Sequence, residues 1–288
     1  MSVENRQIVF YLGYHKTASK WIWNNFFRKY YPCHQIGRLS EAEVRTLIQH
    51  VKKESPIILR DRIENGLMGS DFSDLPTKLS NFAPKGKLVT CIRSQHSMLS
   101  SHYGQYVANG GRLGFKAYVQ EAVETRWHYY SLLKDLMENA DRQVFVYLFE
   151  EFRRDPLDVL RRLHQFVGPP GQAIPEKKLE TTAQLPRMNP KRHDLVVDTM
   201  LILNRMRLRH EKNAVLPELK RAGSDHIVVE AAEYISKMYS HARGRPIAYR
   251  KFKATSILEE AYAEENDKLS KLLNKPLHQY GYPSLVVN

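Results

Sequence analysis

Lys16, Thr17, Ala18, Ser19 and Lys20 follow closely on Gly13 and lead into Trp21. One ammonium, two hydroxyls and the amides of a turn that runs into a helix are the parts of an anion cradle: N–H groups converge on the ligand and the helix dipole favours negative charge. Taken alone, the stretch also fits an ordinary strand-to-helix connection with a solvated lysine. A second pair, Arg93 and Ser101, eight positions apart, narrows that choice. Arg93 directly follows an apolar run, and its guanidinium can fork onto a phosphate through two parallel N–H donors, while Ser101 offers a hydroxyl. Two anion-binding elements on separate strands suit a ligand with phosphates at two places. The spacing excludes a Walker A motif, which needs a glycine, four residues, then Gly-Lys-Ser/Thr. Here Lys16 stands three residues after Gly13 with no glycine beside it.

Elements that can position these residues are visible in the apolar pattern. Ile8–Leu12, Pro56–Arg60, Lys87–Ile92 and Gln143–Phe149 read as short buried strands. Trp21 to Lys29 reads as a helix, with Ile22 and Phe26 near one face. Ser40 and Glu43 form a capping box for a helix to about Val51. Met98 to Val107 predicts another helix; if it opens near Ser97, Ser101 sits about one turn in. Phe115 to Asn139 holds two more. Asp155 caps a helix from Pro156 to Val167, stopped by Gly168-Pro169-Pro170-Gly171. Strands alternating with helices predict an α/β fold, a P-loop-type three-layer core around a mainly parallel sheet, whose ligand edge lies at the strands' carboxyl ends. Beyond Gly171 the strand signal fades, and Asp194–His210, Asp225–His241 and Ser256–Leu273 read as helices. The expected organisation is a single domain over 1–288, with an α/β nucleotide-binding core in 1–171 and a mostly helical part in 172–288 on the acceptor side.

Composition bounds the function from outside. The chain has 288 residues, 42% of them hydrophobic, enough for a sizeable core. No apolar run approaches the roughly 18 residues of a membrane span, so a cytoplasmic protein is expected. Cys33 and Cys91 are far apart; Cys91 lies within Leu88–Ile92 and reads as a small core residue. That pattern fits a reducing compartment better than a disulfide. The net charge of +13 suits anionic ligands or simply a soluble basic surface. Nucleic acid is disfavoured, because basic and aromatic residues do not interleave and no zinc-finger or basic-zipper spacing occurs. The twelve histidines form no set at zinc-ligand spacing, so no metal is expected. Arg205, Arg207 and Arg209, and the run Arg243, Arg245, Arg250, Lys251 and Lys253, fit solvated segments as well as an anion-attracting one. Leu195, Met200, Leu203 and Met206 read as a core stripe.

The strand, Gly-x-His-Lys-Thr-x-Ser turn and helix resemble the 5′-phosphosulfate loop of sulfotransferases that use 3′-phosphoadenosine 5′-phosphosulfate (PAPS), and Arg93 with Ser101 resembles their 3′-phosphate motif. Val146 to Pro156, running on to Phe166-Val167-Gly168, is similar to the family's Tyr-Glu-Asp-Leu…Asp-Pro…Phe-Leu-Gly segment. Glu265–Leu269 and Tyr280-Gly281-Tyr282-Pro283 resemble the end of bacterial and glycan-modifying members. The order and spacing of these motifs are more specific than any one of them. Two positions depart from the pattern: Ala18 replaces the usual glycine, tolerable if its φ is negative, and Lys20 stands where a small hydroxyl residue is common.

The resemblance implies sulfuryl transfer from PAPS, with adenosine 3′,5′-bisphosphate (PAP) as product and no obligatory metal. Lys16 would contact the bridging oxygen, the amides from Thr17 through Ala18, Ser19 and Lys20 to Trp21 the 5′-phosphate, and Arg93 and Ser101 the 3′-phosphate. The acceptor would be a hydroxyl, on a carbohydrate or glycoconjugate by analogy with the tail. Family members use Glu or His as the base, and Glu64 is the first choice: it follows the second strand in a segment, Glu64 to Gly69, resembling Glu-x-Leu-x-Gly with an insertion at Asn65. Asp61 and His102 are its rivals, and His15 shapes the loop. Two other readings stay open: an ATP-dependent P-loop-like kinase, which lacks its Gly-Lys-Ser/Thr, and a non-catalytic nucleotide or polyanion binder on the same fold.

Overall fold

The computed structural model describes residues 7–14, 16–35, 42–43, 46, 49, 56–62, 85–138, 143–169, 173–186, 194–206, 229–235, 237–238 and 255–285. Five strands form one sheet: β1 (Ile8–Gly13), β2 (Cys33–Gln35), β3 (Ile57–Arg62), β4 (Lys87–Ile92) and β5 (Val144–Leu148). Their order is β2-β3-β1-β4-β5, and every pairing is parallel. The predicted α/β class and mainly parallel sheet are therefore observed, with β2 as an addition. Three residues of mixed polarity, Cys-His-Gln, give β2 no apolar run to announce it.

β1 is central because it is apolar on both faces, and Ile8 through Leu12 are all at most 2% exposed. Alternation puts Val9 and Tyr11 with Ile58, Val89, Cys91 and Tyr147 in one core cluster. That cluster is completed by Trp21, Ile22, Trp23, Phe26 and Phe27 of the first helix, α1, and by Val159, Leu160, Leu163 and Val167. Each such large side chain contributes about 1.5–3 kcal/mol by leaving water. Phe10, Leu12, Leu59, Leu88, Ile92 and Leu148 are buried as well, on the other register of the same strands. α1 is α-helical over Ser19–Ile22, π-helical over Trp23–Phe27 and α-helical again over Arg28–Tyr30.

The remaining helices are α2 (Gln95–Ala108), α3 (Phe115–Thr125), α4 (Tyr129–Glu138), α5 (Phe149–Arg154), α6 (Pro156–Val167), α7 (Glu176–Ala183), α8 (Asp194–Met206) and α9 (Thr255–Leu273), with a 3₁₀ turn at Leu277–Tyr280. α6 starts as its sequence dictates: Pro156 occupies the first turn and Asp155 Oδ1 accepts from the Asp158 amide at 3.0 Å. α2 opens at Gln95 rather than near Ser97, which moves Ser101 from the first turn to the second. The predicted helix opened by Ser40 lies outside the described residues except 42, 43, 46 and 49, which are helical. Beyond residue 171 every described regular element is helical. Cys91 is fully buried, and both cysteines are free thiols. No helix among the described residues is long and apolar enough to cross a membrane, and no group of three metal-ligating side chains occurs among them.

The chain divides into two compact units. The first comprises Met1–Ser94, His128–Met188 and Glu264–Asn288 and carries the sheet. The second comprises Gln95–Trp127 and Asn189–Ala263. Within the second, Asn204 of α8 donates to the carbonyls of Val107 and Gly111 at 2.7 and 3.1 Å, and Arg112 and Arg205 each donate to the other's carbonyl oxygen. In its interior Tyr103 stacks on Tyr106, and Tyr118 packs against both at a tilt. In the α8 stripe Met200 is fully buried, whereas Met206 at its end is 38% exposed.

Candidate functional site

The connections after β1 and β4 leave a parallel sheet where the strand order reverses, because β3 lies on one side of β1 and β4 on the other. In open α/β sheets the carboxyl ends at such a reversal hold ligands. Gly13 closes β1 level with Cys91 of β4, and a side chain there is impossible: a Cβ would come within 2.6 Å of the Ser19 Cβ. The glycine lets the turn fold back over the strand end. Thr17 is fully buried and donates from Oγ1 to the Tyr14 carbonyl at 2.7 Å, tying the turn to the strand it has just left.

The backbone of this turn does not meet the condition under which alanine would replace glycine without strain. Ala18 in place of glycine is unstrained only with a negative φ; the structure has φ 59° and ψ 12° there, in the left-handed region. Lys16 has φ 64°, so two non-glycine residues are left-handed on either side of Thr17. Each costs of the order of 1 kcal/mol or more, and such residues persist only where surrounding contacts fix them. Turns that enter the left-handed region can curl successive N–H groups towards one point, as in anion-binding nests. The amide of Trp21 already donates to the Ala18 carbonyl at 2.9 Å. No backbone acceptor pairs with the amides of Thr17, Ala18, Ser19 and Lys20 among the described residues. Lys20 has an exposed side chain, while Trp21 is buried, donating from Nε1 to the Pro186 carbonyl and packing edge-on against Phe152.

A buried polar layer supports the turn from beneath. The Tyr11 and Tyr147 hydroxyls lie 3.0 Å apart, and Tyr11 also donates to the Ser19 carbonyl at 3.3 Å. Burial pushes both phenols and the Cys91 thiol well above their ordinary pKa values, so all three are neutral donors.

The second predicted element meets the first. Arg93 Nη1 donates to the Lys16 carbonyl at 2.7 Å, joining the end of β4 to the left-handed residue after β1. The guanidinium lies 4.2 Å from the centre of the Phe149 ring, a cation–π contact that holds its plane. Burial draws the Arg93 pKa down, and the Glu150 carboxylate opposes that shift. The Arg93 carbonyl accepts from the Tyr129 hydroxyl at 2.9 Å, and the Tyr129 ring packs edge-on against Tyr14. Ser94, next along, donates its amide to Glu150 Oε1 at 3.2 Å and its hydroxyl to the Gly281 carbonyl at 2.7 Å. The adjoining carboxylate, Glu151, accepts from the Leu148 amide and from Lys275 at 2.6 and 2.8 Å; burial pushes its pKa up, but Lys275, the Leu148 amide and Arg162 together bring it below the usual value.

The other candidates fall elsewhere. Ser101 lies half-buried in α2, within the second unit. His102 is 3% exposed, hydrogen-bonded through Nδ1 to the Tyr118 hydroxyl and packed edge-on against Trp127, a core position of that unit. The backbone of Asp61 pairs with Leu12 in β3. Arg60 of β3 is nearly buried against the Trp23 ring. Glu64, His15 and the basic segment Arg243–Lys253 lie outside the described residues. Glu150, Ser94 and the Gly281–Tyr282 tail were not singled out as site residues. The tail motif was visible in the sequence, but its place beside Arg93 depends on contacts across 187 and 132 positions.

No protein-family model and no curated protein matches this sequence. Solved structures similar to the chain include mouse sulfotransferase SULT7A1 complexed with PAP, at 13% identity and a TM-score of 0.45 over 62% of this chain and 64% of that one. They also include a sulfotransferase from Alicyclobacillus acidocaldarius, at 17% identity and 0.43 over 69% and 92% of the two chains. A third is retinol dehydratase in complex with androsterone and inactive cofactor PAP, at 11% identity and 0.38 over 85% and 83%.

Proposed function

We propose that this chain is a PAPS-dependent sulfotransferase that moves a sulfuryl group to a hydroxyl, on a carbohydrate or glycoconjugate. The observation that carries the reading is the hydrogen bond from Arg93 to the Lys16 carbonyl. It brings a guanidinium, a lysine and a left-handed amide turn to one reversal point of a parallel sheet, which suits a donor with anionic groups at two places. The motif resemblance supplies the identity of that donor.

In this reading the amides from Thr17 to Lys20 hold the 5′-phosphate and Arg93 holds the 3′-phosphate. Ser101 is assigned as a second donor to that phosphate on the resemblance alone. The acceptor oxygen attacks sulfur as the bond from sulfur to the 5′-phosphate oxygen breaks in line. Negative charge grows on that leaving oxygen, and the Lys16 ammonium stabilises it more in the transition state than in the ground state. Glu64 takes the acceptor proton as general base. Calorimetry tests the donor: adenosine 3′,5′-bisphosphate should bind at least tenfold more tightly than ADP, with or without magnesium. Equal affinity would remove the 3′-phosphate assignment, and a preference for magnesium-ADP would favour a kinase. Labelled PAPS offered with glycans, lipids and phenols tests the acceptor class.

A further inference from the structure

Glu150 and the carboxyl-terminal tail belong to none of the motifs' assigned roles, yet both converge on the residue after Arg93. Glu150 Oε1 accepts from the Ser94 amide at 3.2 Å, and its Oε2 accepts from the Tyr282 hydroxyl at 3.4 Å. The Ser94 hydroxyl donates to the Gly281 carbonyl at 2.7 Å. Ser94 and Tyr282 are 3% and 4% exposed, so these bonds form where water cannot replace them cheaply. Gly281 has φ 75°, a conformation that favours glycine and turns its carbonyl out of the preceding 3₁₀ turn. The tail is itself anchored: Asn266 of α9 donates to the Pro283 carbonyl at 2.9 Å and Ser284 to Asp267 at 2.7 Å.

We infer that Glu150, with Gly281 and Tyr282, is a positioning group that fixes the Arg93–Ser94 turn, making the carboxyl-terminal tail part of the nucleotide site. The physical argument is one of degrees of freedom. Arg93 projects from the first residue beyond β4, where the sheet's own hydrogen bonds stop. Its side chain is held by Lys16 and Phe149, and its carbonyl by Tyr129. The backbone step that follows is tied down at Ser94, whose amide bonds Glu150 and whose hydroxyl bonds Gly281, both in this cluster. Releasing them lets the guanidinium leave the plane in which it can face a phosphate bidentately.

The inference rests on the nucleotide reading above, and its test uses two readouts on the full chain. The first is the ratio of affinities for adenosine 3′,5′-bisphosphate and adenosine 5′-phosphate, by calorimetry. The second is amide hydrogen exchange in the segments around Lys16 and Arg93. Glu150→Gln keeps an acceptor oxygen but loses the charge, and should reduce the ratio about threefold; Glu150→Ala and Ser94→Ala should reduce it about tenfold, with faster exchange in both segments. Tyr282→Phe, which keeps the packing, guards against variants that fail to fold and should lower the ratio about twofold. A fall in melting temperature with an unchanged ratio and unchanged exchange would overturn the inference, leaving only a structural role. If the wild-type protein shows no preference for the 3′-phosphate, the nucleotide reading falls and the tail loses its place in a nucleotide site. Exchange then separates the two failures: faster exchange in Glu150→Ala means the clamp is real but serves no 3′-phosphate.

Discussion

The turn after β1 and the turn after β4 reach the same edge of the sheet by opposite means. The first is shaped by its own backbone, with Lys16 and Ala18 left-handed and Gly13 permitting the fold-back. The second has no left-handed residue; Arg93 and Ser94 are held by side chains and carbonyls from Lys16, Tyr129, Glu150 and Gly281. A backbone cradle offers amides, which suit an anion of any identity. A side-chain clamp presents one guanidinium in a fixed plane, which suits discrimination. Under the proposed function, the difference divides binding and selectivity for a two-phosphate donor between the turns, and each half can be broken separately.

The largest effect should come from Lys16→Ala. Alanine is as strained at φ 64° as lysine, so the substitution removes the ammonium without relaxing the turn. Sulfuryl transfer should fall by about 10²–10³, the usual cost of losing one group aimed at developing charge, while nucleotide affinity falls only several-fold. Steady-state kinetics beside calorimetry checks this; equal losses in both would make Lys16 a binding residue. Next is Arg93→Lys. An ammonium lacks the planar fork that spans the Lys16 carbonyl and the Phe149 face while keeping an edge for phosphate. Affinity for adenosine 3′,5′-bisphosphate should drop by roughly 10–100-fold, with little change for adenosine 5′-phosphate. A parallel loss for both nucleotides would erase the division of labour between the turns.

Much of this arrangement is legible in the sequence, for identifiable reasons. β1, β3, β4 and β5 are apolar runs because both faces of a parallel sheet are buried, and α6 carries its cap and its proline in the open. Arg93 and Lys16 are visible as charged residues at strand ends. Two things are not legible. The sign of φ at Ala18 is set by the tertiary fit of the turn over Gly13 and beneath Arg93, and alanine is the residue that would argue against it. The Glu150–Ser94–Tyr282 cluster joins three distant segments through hydrogen bonds that leave no periodicity.

Ala18→Gly sharpens the backbone half of the comparison. Glycine adopts φ 59° without the Cβ penalty, and the gain outweighs its greater freedom in the unfolded chain. Stability should rise by about 0.5–1 kcal/mol in denaturant unfolding, with the donor affinity kept. A destabilised variant would mean that the Ala18 methyl group, which packs against the core cluster, matters more than the strain.

Lys20→Ala should have the smallest effect, and it separates an amide's role from that of the side chain beside it. Under the proposed function Lys20 would join the cradle through its N–H, at the start of α1, whereas its side chain is exposed. An exposed charge near an anion contributes through water and salt, so its removal should weaken nucleotide binding by at most about threefold at low ionic strength. At about 0.5 M salt the difference should vanish, because the screening length is then shorter than the distance over which a solvated ammonium acts. A salt-independent loss of tenfold or more would instead put the Lys20 ammonium in direct contact with the donor. The β1 turn would then select its ligand by side chains as the β4 turn does, and the contrast between them would fail.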